Sequence, residues 1–252
     1  MSQPAPRGGF HLPPAALDWL CGGSPRRVLT LSGSWLPRTL LRAGHDVFAI
    51  DKSPHVAQAL TQVPGITAVA AQAESLPFDP CAFDAVATHQ VFHRYAPGLV
   101  LSEMARVLRP GGHAAVSYLV RDDSVPWVRR LVGIVHQLDP DAMKGDFGNE
   151  SVTELLESKY FPTSSHRSFR HWVPATRESL IAMAANLAAA KALEAPELED
   201  FLGQVAALYD ESAPGADSLR LPYTLLCWRA NVDHQELTAP IEVDDDGLVI
   251  PI

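Results

Sequence analysis

The chain has 252 residues, of which 47% are hydrophobic and 19% are charged, so it can form a full hydrophobic core and is not an intrinsically disordered protein. Its 20 basic and 29 acidic residues give a net charge of −9, which disfavours a nucleic-acid partner bound through a basic surface. Its 21 prolines and 16 glycines show no period, which excludes a collagen-like or low-complexity architecture.

Short apolar runs alternate with helical patterns through the first half of the chain. In chain order, the predicted elements are strand 28–31, helix 36–43, strand 46–50, a helix that begins at Pro54, strand 66–71, strand 83–88, helix 97–108 and strand 113–119. Five strands that alternate with helices are typical of a parallel, doubly wound sheet.

Beyond Asp122 the pattern is looser and predicts an elaborated second half. The predicted elements are helices near 125–138, 152–158, 176–193 and 196–210, with strands at 166–172 and 223–230. The Ala-rich segment 182–190 predicts either close-packed core or the face of a homodimer. In the tail, 241–243 and 248–250 flank an Asp-Gly turn, which indicates a small hairpin.

Three features of the chain bear on its compartment. The three cysteines are far apart and indicate neither a disulfide framework nor a metal site. The N-terminal segment does not have the pattern of a signal peptide, and no apolar stretch has the length of a membrane span. We therefore expect a cytoplasmic protein without a metal ion and without a membrane partner.

The residues that follow the predicted strands are the candidates for chemistry, because an open parallel sheet binds its ligand outside the carboxyl ends of its strands. These positions hold Ser32 and Gly33, then Asp51, then 72–74, then 89–93. An acid at the end of the second strand is placed to accept hydrogen bonds from a ribose diol, or to cap the next helix.

Four segments at or near these strand ends carry a resemblance to a known family. They are 46–54 (DVFAIDKSP), 71–78 (AQAESLPF), 90–93 (QVFH) and 103–112 (EMARVLRPGG). In this order they resemble the motifs of class I S-adenosylmethionine-dependent methyltransferases, in the branch of the ubiquinone/menaquinone biosynthesis enzymes with a type 11 methyltransferase domain. The resemblance extends from about residue 28 to residue 230.

The resemblance implies an α/β fold. It is a Rossmann-like, doubly wound, seven-stranded sheet, mostly parallel with an antiparallel last strand at 223–230, and with helices on both faces. It also implies a helical lead at 1–27, a methyltransferase-like domain at 28–230 and an acidic tail or hairpin at 231–252. Within the domain, 28–120 is the expected core and 121–222 the part that covers the substrate.

The resemblance also implies the roles of individual residues. The expected cofactor-binding residues are Ser32, Gly33, Asp51, Gln72, Ala73, Glu74 and Gln90. Asp51 would bind the ribose hydroxyls of S-adenosylmethionine, 72–74 would lie along the adenine, and Gln90 would face the methionine end. His93 is the first candidate for a catalytic base and Tyr95 the second, although His93 could instead orient the substrate.

The loop after the first strand departs from the family pattern. Relatives have an acid and a Gly-x-Gly loop there, whereas this chain has Thr30, keeps only Gly33, and places Trp35 where the methionyl group needs space. Two functions follow. The first is an S-adenosylmethionine-dependent methyltransferase that acts on a small molecule or, as the less favoured acceptor, a protein. The alternative is a pseudo-methyltransferase that has lost the cofactor and acts as a binding or regulatory protein.

Overall fold

The computed structural model describes residues 12–23, 25–31, 33–140, 149–213, 218–238, 243–244 and 247–248. The strands are β1 (Arg27–Leu31), β2 (Asp46–Asp51), β3 (Ile66–Ala70), β4 (Phe83–His89), β5 (Leu108–Arg121), β6 (Thr163–Ala175), β7 (Leu219–Asn231), β8 (Val243–Asp244) and β9 (Gly247–Leu248). The helices are α1 (Pro14–Cys21), α2 (Trp35–Arg42), α3 (Pro54–Thr61), α4 (Pro97–Val107), α5 (Pro126–Leu138), α6 (Asn149–Leu156), α7 (Arg177–Ala185), α8 (Ala195–Ser212) and α9 (Gln235–Thr238), with 3-10 turns at Phe92–Arg94 and Ala190–Ala192.

Seven strands form one sheet in the order β3-β2-β1-β4-β5-β7-β6. β1 is parallel to both β2 and β4, β2 is parallel to β3, and the β5-β7-β6 end is antiparallel. The predicted sheet, mostly parallel with an antiparallel last strand, is confirmed. Strand order reverses between β1 and β4, so the ligand crevice of such a sheet is expected at their carboxyl ends.

The central strand β1 is apolar because both of its faces are covered. Val28, Leu29 and Leu31 are all fully buried, as is Thr30 between them. A strand that is buried on both faces has an almost continuous apolar sequence rather than an alternating one. This explains why 28–31 could be predicted as a strand from so few residues.

Contacts divide the chain into two compact units. The first comprises the described residues within Leu17–Val116, Gly148–His166 and Trp228–Ile252, and it contains β1 to β4. The second comprises those within Met1–Ala16, Ser117–Phe147 and Arg167–Cys227. In the second unit, α5, α7 and α8 bury a core of their own, which includes Leu131, Leu180 and Phe201.

The predicted helix 176–193 is wrong beyond Ala185. The Asn186 side chain donates to the carbonyl of Ala182 at 2.8 Å, and the Asn186 backbone amide donates to the same carbonyl at 3.2 Å. An asparagine that bonds to the last turn ends α7, because its side chain competes for the helical backbone partners. Ala184 and Ala190 are buried in the core of the second unit, while a homodimer stays a prediction.

In the first unit, part of α1 is fixed to the sheet by two side chains of β5 and β7. His113 Nε2 lies 2.7 Å from the carbonyl oxygen of Leu20, and the Arg229 guanidinium donates to the carbonyl of Trp19 at 3.0 Å. His113 Nδ1 in turn lies 3.5 Å from Arg229 Nη2. A neutral imidazole that carries its proton on Nε2 satisfies both contacts of His113.

Two findings concern the ends of the chain and the membrane. β8 and β9 pair in antiparallel fashion, with Val243 opposite Leu248, which is the pairing expected of the predicted hairpin. Its turn at 245–246 lies outside the described residues. Within the part of the chain that the structure describes, no helix is both long and apolar enough to cross a membrane.

Gly112, in β5, is the glycine at which we expect the clearest effect on stability. A Cβ at Gly112 would lie 2.8 Å from the carbonyl oxygen of Arg109 and 3.0 Å from that of Asp84, and both of these atoms are backbone. We expect Gly112→Ala to lower the free energy of unfolding by about 1–3 kcal/mol in urea denaturation, because the backbone must shift.

The matched control is Gly133→Ala. Gly133 is exposed in α5, and a Cβ there would meet no atom within 4 Å. That variant should gain about 0.5–1 kcal/mol, because alanine loses less conformational entropy than glycine in a helix. A Gly112→Ala protein as stable as the wild type would contradict the prediction.

Candidate cofactor-binding site

Asp51 joins the loop after β1 to the end of β2. Its Oδ2 accepts a hydrogen bond from the backbone amide of Gly33 at 2.9 Å, and its Oδ1 accepts one from the amide of Ser53 at 2.8 Å. Asp51 is only 7% exposed. Asp51 is not itself the cap of the next helix, because Ser53 is the N-cap residue of α3. The bond to Gly33 shows that the Asp51 carboxylate organises the first loop. Ser32 lies outside the described residues.

The site could hold a ribose next to Asp51. A carboxylate offers about four acceptor positions, so bonds from backbone amides do not by themselves exclude bonds from a diol. Gly33 has a φ of +85°, which favours glycine, and a Cβ built there would meet no atom within 4 Å. A ligand can therefore approach the backbone of this loop closely.

Gln90, the residue directly after β4, has a left-handed backbone. Its φ is +62°, and among the described residues only Cys81 shares a positive φ without being a glycine. Such a conformation costs free energy for a residue with a side chain and is concentrated at functional sites. Gln90, the residue predicted to face the methionine end, thus lies where the strand order reverses, in a backbone conformation that is common at functional sites.

The loop 72–74 lies beside Asp51. The amide of Ala71 donates to the backbone carbonyl of Asp51 at 3.2 Å, which continues the β2–β3 pairing into the loop. Ala73 is buried, Gln72 is exposed, and Glu74 accepts a hydrogen bond from the amide of Ala96 at 3.0 Å. The Glu74 carboxylate therefore connects this loop to the segment that follows β4.

Tyr95 connects the segment after β4 to the first loop. Its hydroxyl donates a 2.9 Å hydrogen bond to the backbone carbonyl of Leu31, the last residue of β1. His93 lies in the 3-10 turn and is largely exposed. The part of its imidazole that is shielded from water, together with the adjacent Arg94, lowers its pKa below the ordinary value. A histidine with a lowered pKa is neutral at pH 7, which is the state that a proton acceptor requires.

A salt bridge in α4 holds the segment 76–78 in place, a role that sequence reasoning missed. Glu103 accepts the amide of Leu76 at 2.6 Å and pairs with Arg106 at 2.6 Å. Arg106 also donates to the carbonyls of Leu76 and Phe78 at 2.9 and 2.8 Å. Both residues belong to the motif at 103–112. The sequence therefore identifies the motif but does not predict which residues it contacts.

We expect Glu103→Gln to lower the free energy of unfolding at pH 7 by about 1.5–3 kcal/mol, the usual contribution of a hydrogen bond to a charged group. The hydrogen bond from Arg106 holds the pKa of Glu103 below its ordinary value. The carboxylate therefore stabilises the fold above the unfolded pKa, and this contribution is lost as the pH falls through the folded pKa.

Urea denaturation at pH 7 and at acid pH measures this prediction. The difference between wild type and Glu103→Gln should shrink at acid pH. The control Glu199→Gln, at an exposed position of α8, should be close to wild type throughout. A difference that is independent of pH would show that the charge of Glu103 is not the cause.

The two residues that depart from the family pattern on either side of the first loop make defined contacts. Thr30 is fully buried, and its hydroxyl donates to the backbone carbonyl of Phe48 at 3.3 Å, so it stabilises the β1–β2 contact. The indole of Trp35, at the start of α2, packs on the imidazole of His89, with ring centroids 5.2 Å apart and planes tilted by 40°. Burial lowers the pKa of His89 to about 4, so this imidazole is neutral at pH 7.

A doubly wound sheet with Gly33 in the loop after β1 and a buried acid at the end of β2 defines a Rossmann-like protein. Residues 31–116 match the family model described as methyltransferase domain. The chain is 31% identical over 231 residues to an uncharacterised methyltransferase of Mycobacterium bovis, covering 90% of this chain and 91% of the relative. It belongs to the class I S-adenosylmethionine-dependent methyltransferase family.

One further relative and one solved structure are also similar to this chain. The chain is 37% identical over 156 residues to phthiotriol/phenolphthiotriol dimycocerosates methyltransferase of Mycobacterium leprae, which covers 55% of this chain and 57% of that relative. A solved structure assigned as a type II methyltransferase of Anaeromyxobacter dehalogenans superposes with a TM-score of 0.66 at 19% identity, covering 88% and 97% of the two chains. The predicted enzyme class, a methyltransferase, is confirmed, and the comparisons support it over the pseudo-methyltransferase alternative.

Proposed function

We propose that this methyltransferase binds S-adenosylmethionine at the carboxyl ends of β1, β2 and β4 and transfers its methyl group to a small-molecule acceptor. The observation that carries the proposal is the contact between the Asp51 carboxylate and the Gly33 amide. It combines an acid suited to a ribose diol with a loop whose backbone a ligand can approach closely.

The other predicted cofactor residues fit the same ligand. Ala73 is buried and Gln72 is exposed beside the end of β3, which suits a loop that lies along an adenine. Glu74 and Tyr95 hold the surrounding segments through their bonds to Ala96 and Leu31. In this proposal Ser32 and Gln90 bind the methionine end.

S-adenosylmethionine supplies a methyl group on a positively charged sulfur, which is already reactive toward nucleophiles. The protein therefore has to align the acceptor with the methyl group and, where the acceptor must lose a proton, to take up that proton. We assign proton uptake to the neutral imidazole of His93. The Tyr95 hydroxyl donates a hydrogen bond to the carbonyl of Leu31, which suits a positioning residue better than a second base.

Charge and one relative support the proposed class of acceptor. A net charge of −9 disfavours a nucleic acid, because acidic surfaces repel phosphates. The Mycobacterium leprae relative is named for phthiotriol and phenolphthiotriol dimycocerosates, which supports a small molecule over a protein as the acceptor here. We further expect the enzyme to act in the cytoplasm.

Calorimetric titration with S-adenosylmethionine and S-adenosylhomocysteine tests the cofactor directly. We expect saturable binding of both, together with a rise in melting temperature, because a ligand that binds only the folded state stabilises it. No heat and no thermal shift at millimolar ligand would overturn the proposal, and the pseudo-methyltransferase alternative would then be preferred.

A further inference from the structure

Two rings meet where the strand order of the sheet reverses. Trp35 begins α2 directly after the β1 loop, and His89 is the last residue of β4, the neighbour of β1. Their ring centroids are 5.2 Å apart. The imidazole therefore packs against the indole. Because Trp35 remains partly exposed, it still forms part of the surface at this end of the sheet.

The strand that ends beside this ring pair carries no acid of its own. β1 has the sequence RVLTL, without an acid, and the hydroxyl of Thr30 donates to the carbonyl of Phe48. Asp51 accepts the amides of Gly33 and Ser53, and Glu74 accepts the amide of Ala96. β1 therefore offers a positively charged ligand group no acid of its own, while the aromatic pair of Trp35 and His89 lies at the ends of β1 and β4.

We propose that Trp35 is the specificity-determining residue for the sulfonium: its indole, held in place by His89, recognises the positive sulfur through a cation–π contact. The inference rests on the proposed function, since it assigns a role within the same site. The face of an indole attracts cations more strongly than that of any other side chain, and the attraction grows when the contact is shielded from water.

The state of His89 agrees with this role. Burial keeps its imidazole neutral at pH 7, so the ring beside Trp35 adds no positive charge that would repel a sulfonium. The space beside Gly33 is open to a ligand, because a Cβ there would meet no atom within 4 Å. The open loop position Gly33 thus lies two residues before Trp35 in the chain.

The test compares S-adenosylmethionine with S-adenosylhomocysteine, which lacks the transferred methyl group and the charge on sulfur. Both ligands are titrated calorimetrically into wild type, Trp35→Phe and Trp35→Leu. We expect Trp35→Leu to weaken S-adenosylmethionine by roughly five- to thirtyfold, and S-adenosylhomocysteine by less than about threefold. Trp35→Phe should lie between wild type and Trp35→Leu, because a phenyl face attracts a cation less strongly.

The control is Trp172→Leu, which removes an exposed tryptophan of β6 and should change neither affinity. Equal weakening of both ligands by Trp35→Leu, or no change, would overturn the inference. A gain in both affinities would overturn it too and would show that the indole obstructs the site. If Trp35→Leu does not fold, the ratio of the two affinities in Trp35→Phe decides.

Failure of the inference and failure of the proposed function give different results. If wild type binds S-adenosylmethionine but Trp35 does not affect the ratio of the two affinities, the cofactor proposal stands and only the role of Trp35 is wrong. If wild type binds neither ligand, both are wrong.

Discussion

Asp51→Asn is expected to weaken S-adenosylmethionine binding by at least about a hundredfold, since two charge-assisted bonds to a ribose diol contribute roughly 3–6 kcal/mol. The substitution keeps the size of the side chain but turns one acceptor oxygen into a donor nitrogen. That nitrogen would face the amide of either Gly33 or Ser53, both of which now donate to the carboxylate. The first loop would therefore lose an anchor together with the ligand.

The same variant should lower the free energy of unfolding by about 1–3 kcal/mol, because a buried amide would lose its acceptor. Calorimetric titration and urea denaturation measure the two effects separately. If Asp51→Asn is folded at the titration temperature, its loss of affinity reports on the site and not on unfolding. A folded variant that binds as tightly as wild type would remove Asp51 from the proposed site.

Asp46→Asn is the matched control for Asp51→Asn. Asp46 begins the strand that Asp51 ends, its side chain is 65% exposed, and its contact with Arg27 is 3.6 Å long. An exposed ion pair contributes about 0–1 kcal/mol, so we expect this variant to bind and unfold nearly as wild type does. The pair of variants thus compares the two ends of β2 with the same change in chemistry.

The free energy of unfolding is expected to fall by several kcal/mol when the pH is lowered from 7 to 4. His113 is 1% exposed, and its burial, together with Arg229, lowers its pKa from 6.5 to about 4. Burial does the same to His89. Each imidazole therefore binds a proton more readily in the unfolded chain, so stability is complete above pH 6.5 and declines toward pH 4. A shift of this size corresponds to roughly 3 kcal/mol for each histidine.

Urea denaturation in steps from pH 7 to pH 4, on wild type and His113→Gln, measures this effect. Glutamine can still donate a hydrogen bond to the carbonyl of Leu20 but does not titrate, so the variant should lose about half of the pH dependence. The control His55→Gln, at an exposed position of α3, should keep all of it. The same pH dependence in His113→Gln and wild type would show that His113 is not a source of the acid sensitivity.

Much of the fold was predictable because the local signals agree with the tertiary structure. The first four predicted strands and the helix at 97–108 lie within one residue of β1, β2, β3, β4 and α4. Glycine and proline mark their ends, and burial on both faces makes the strands apolar. The helix at 176–193 was wrong because alanine favours a helix throughout, and only the Asn186 contacts reveal where it stops.

The candidate site divides in a similar way. The contact between Asp51 and Gly33 could be predicted in outline, because the carboxyl ends of parallel strands meet at one edge of a sheet. The other contacts could not be predicted, because each depends on strand register and on loops from distant parts of the chain. Glu103 reaching Leu76 and Tyr95 reaching Leu31 are examples.

The amino-acid sequence by itself determined the class of this protein: an acidic, globular chain whose ordered motifs belong to the class I methyltransferases. It did so because periodicity and motif order are local properties that can be read along the chain. Only the tertiary structure decided how Asp51 engages Gly33, why Thr30 is a structural residue and where the ring of Trp35 lies. Those outcomes depend on hydrogen-bond geometry and burial, which arise when β1, β2 and β4 align side by side.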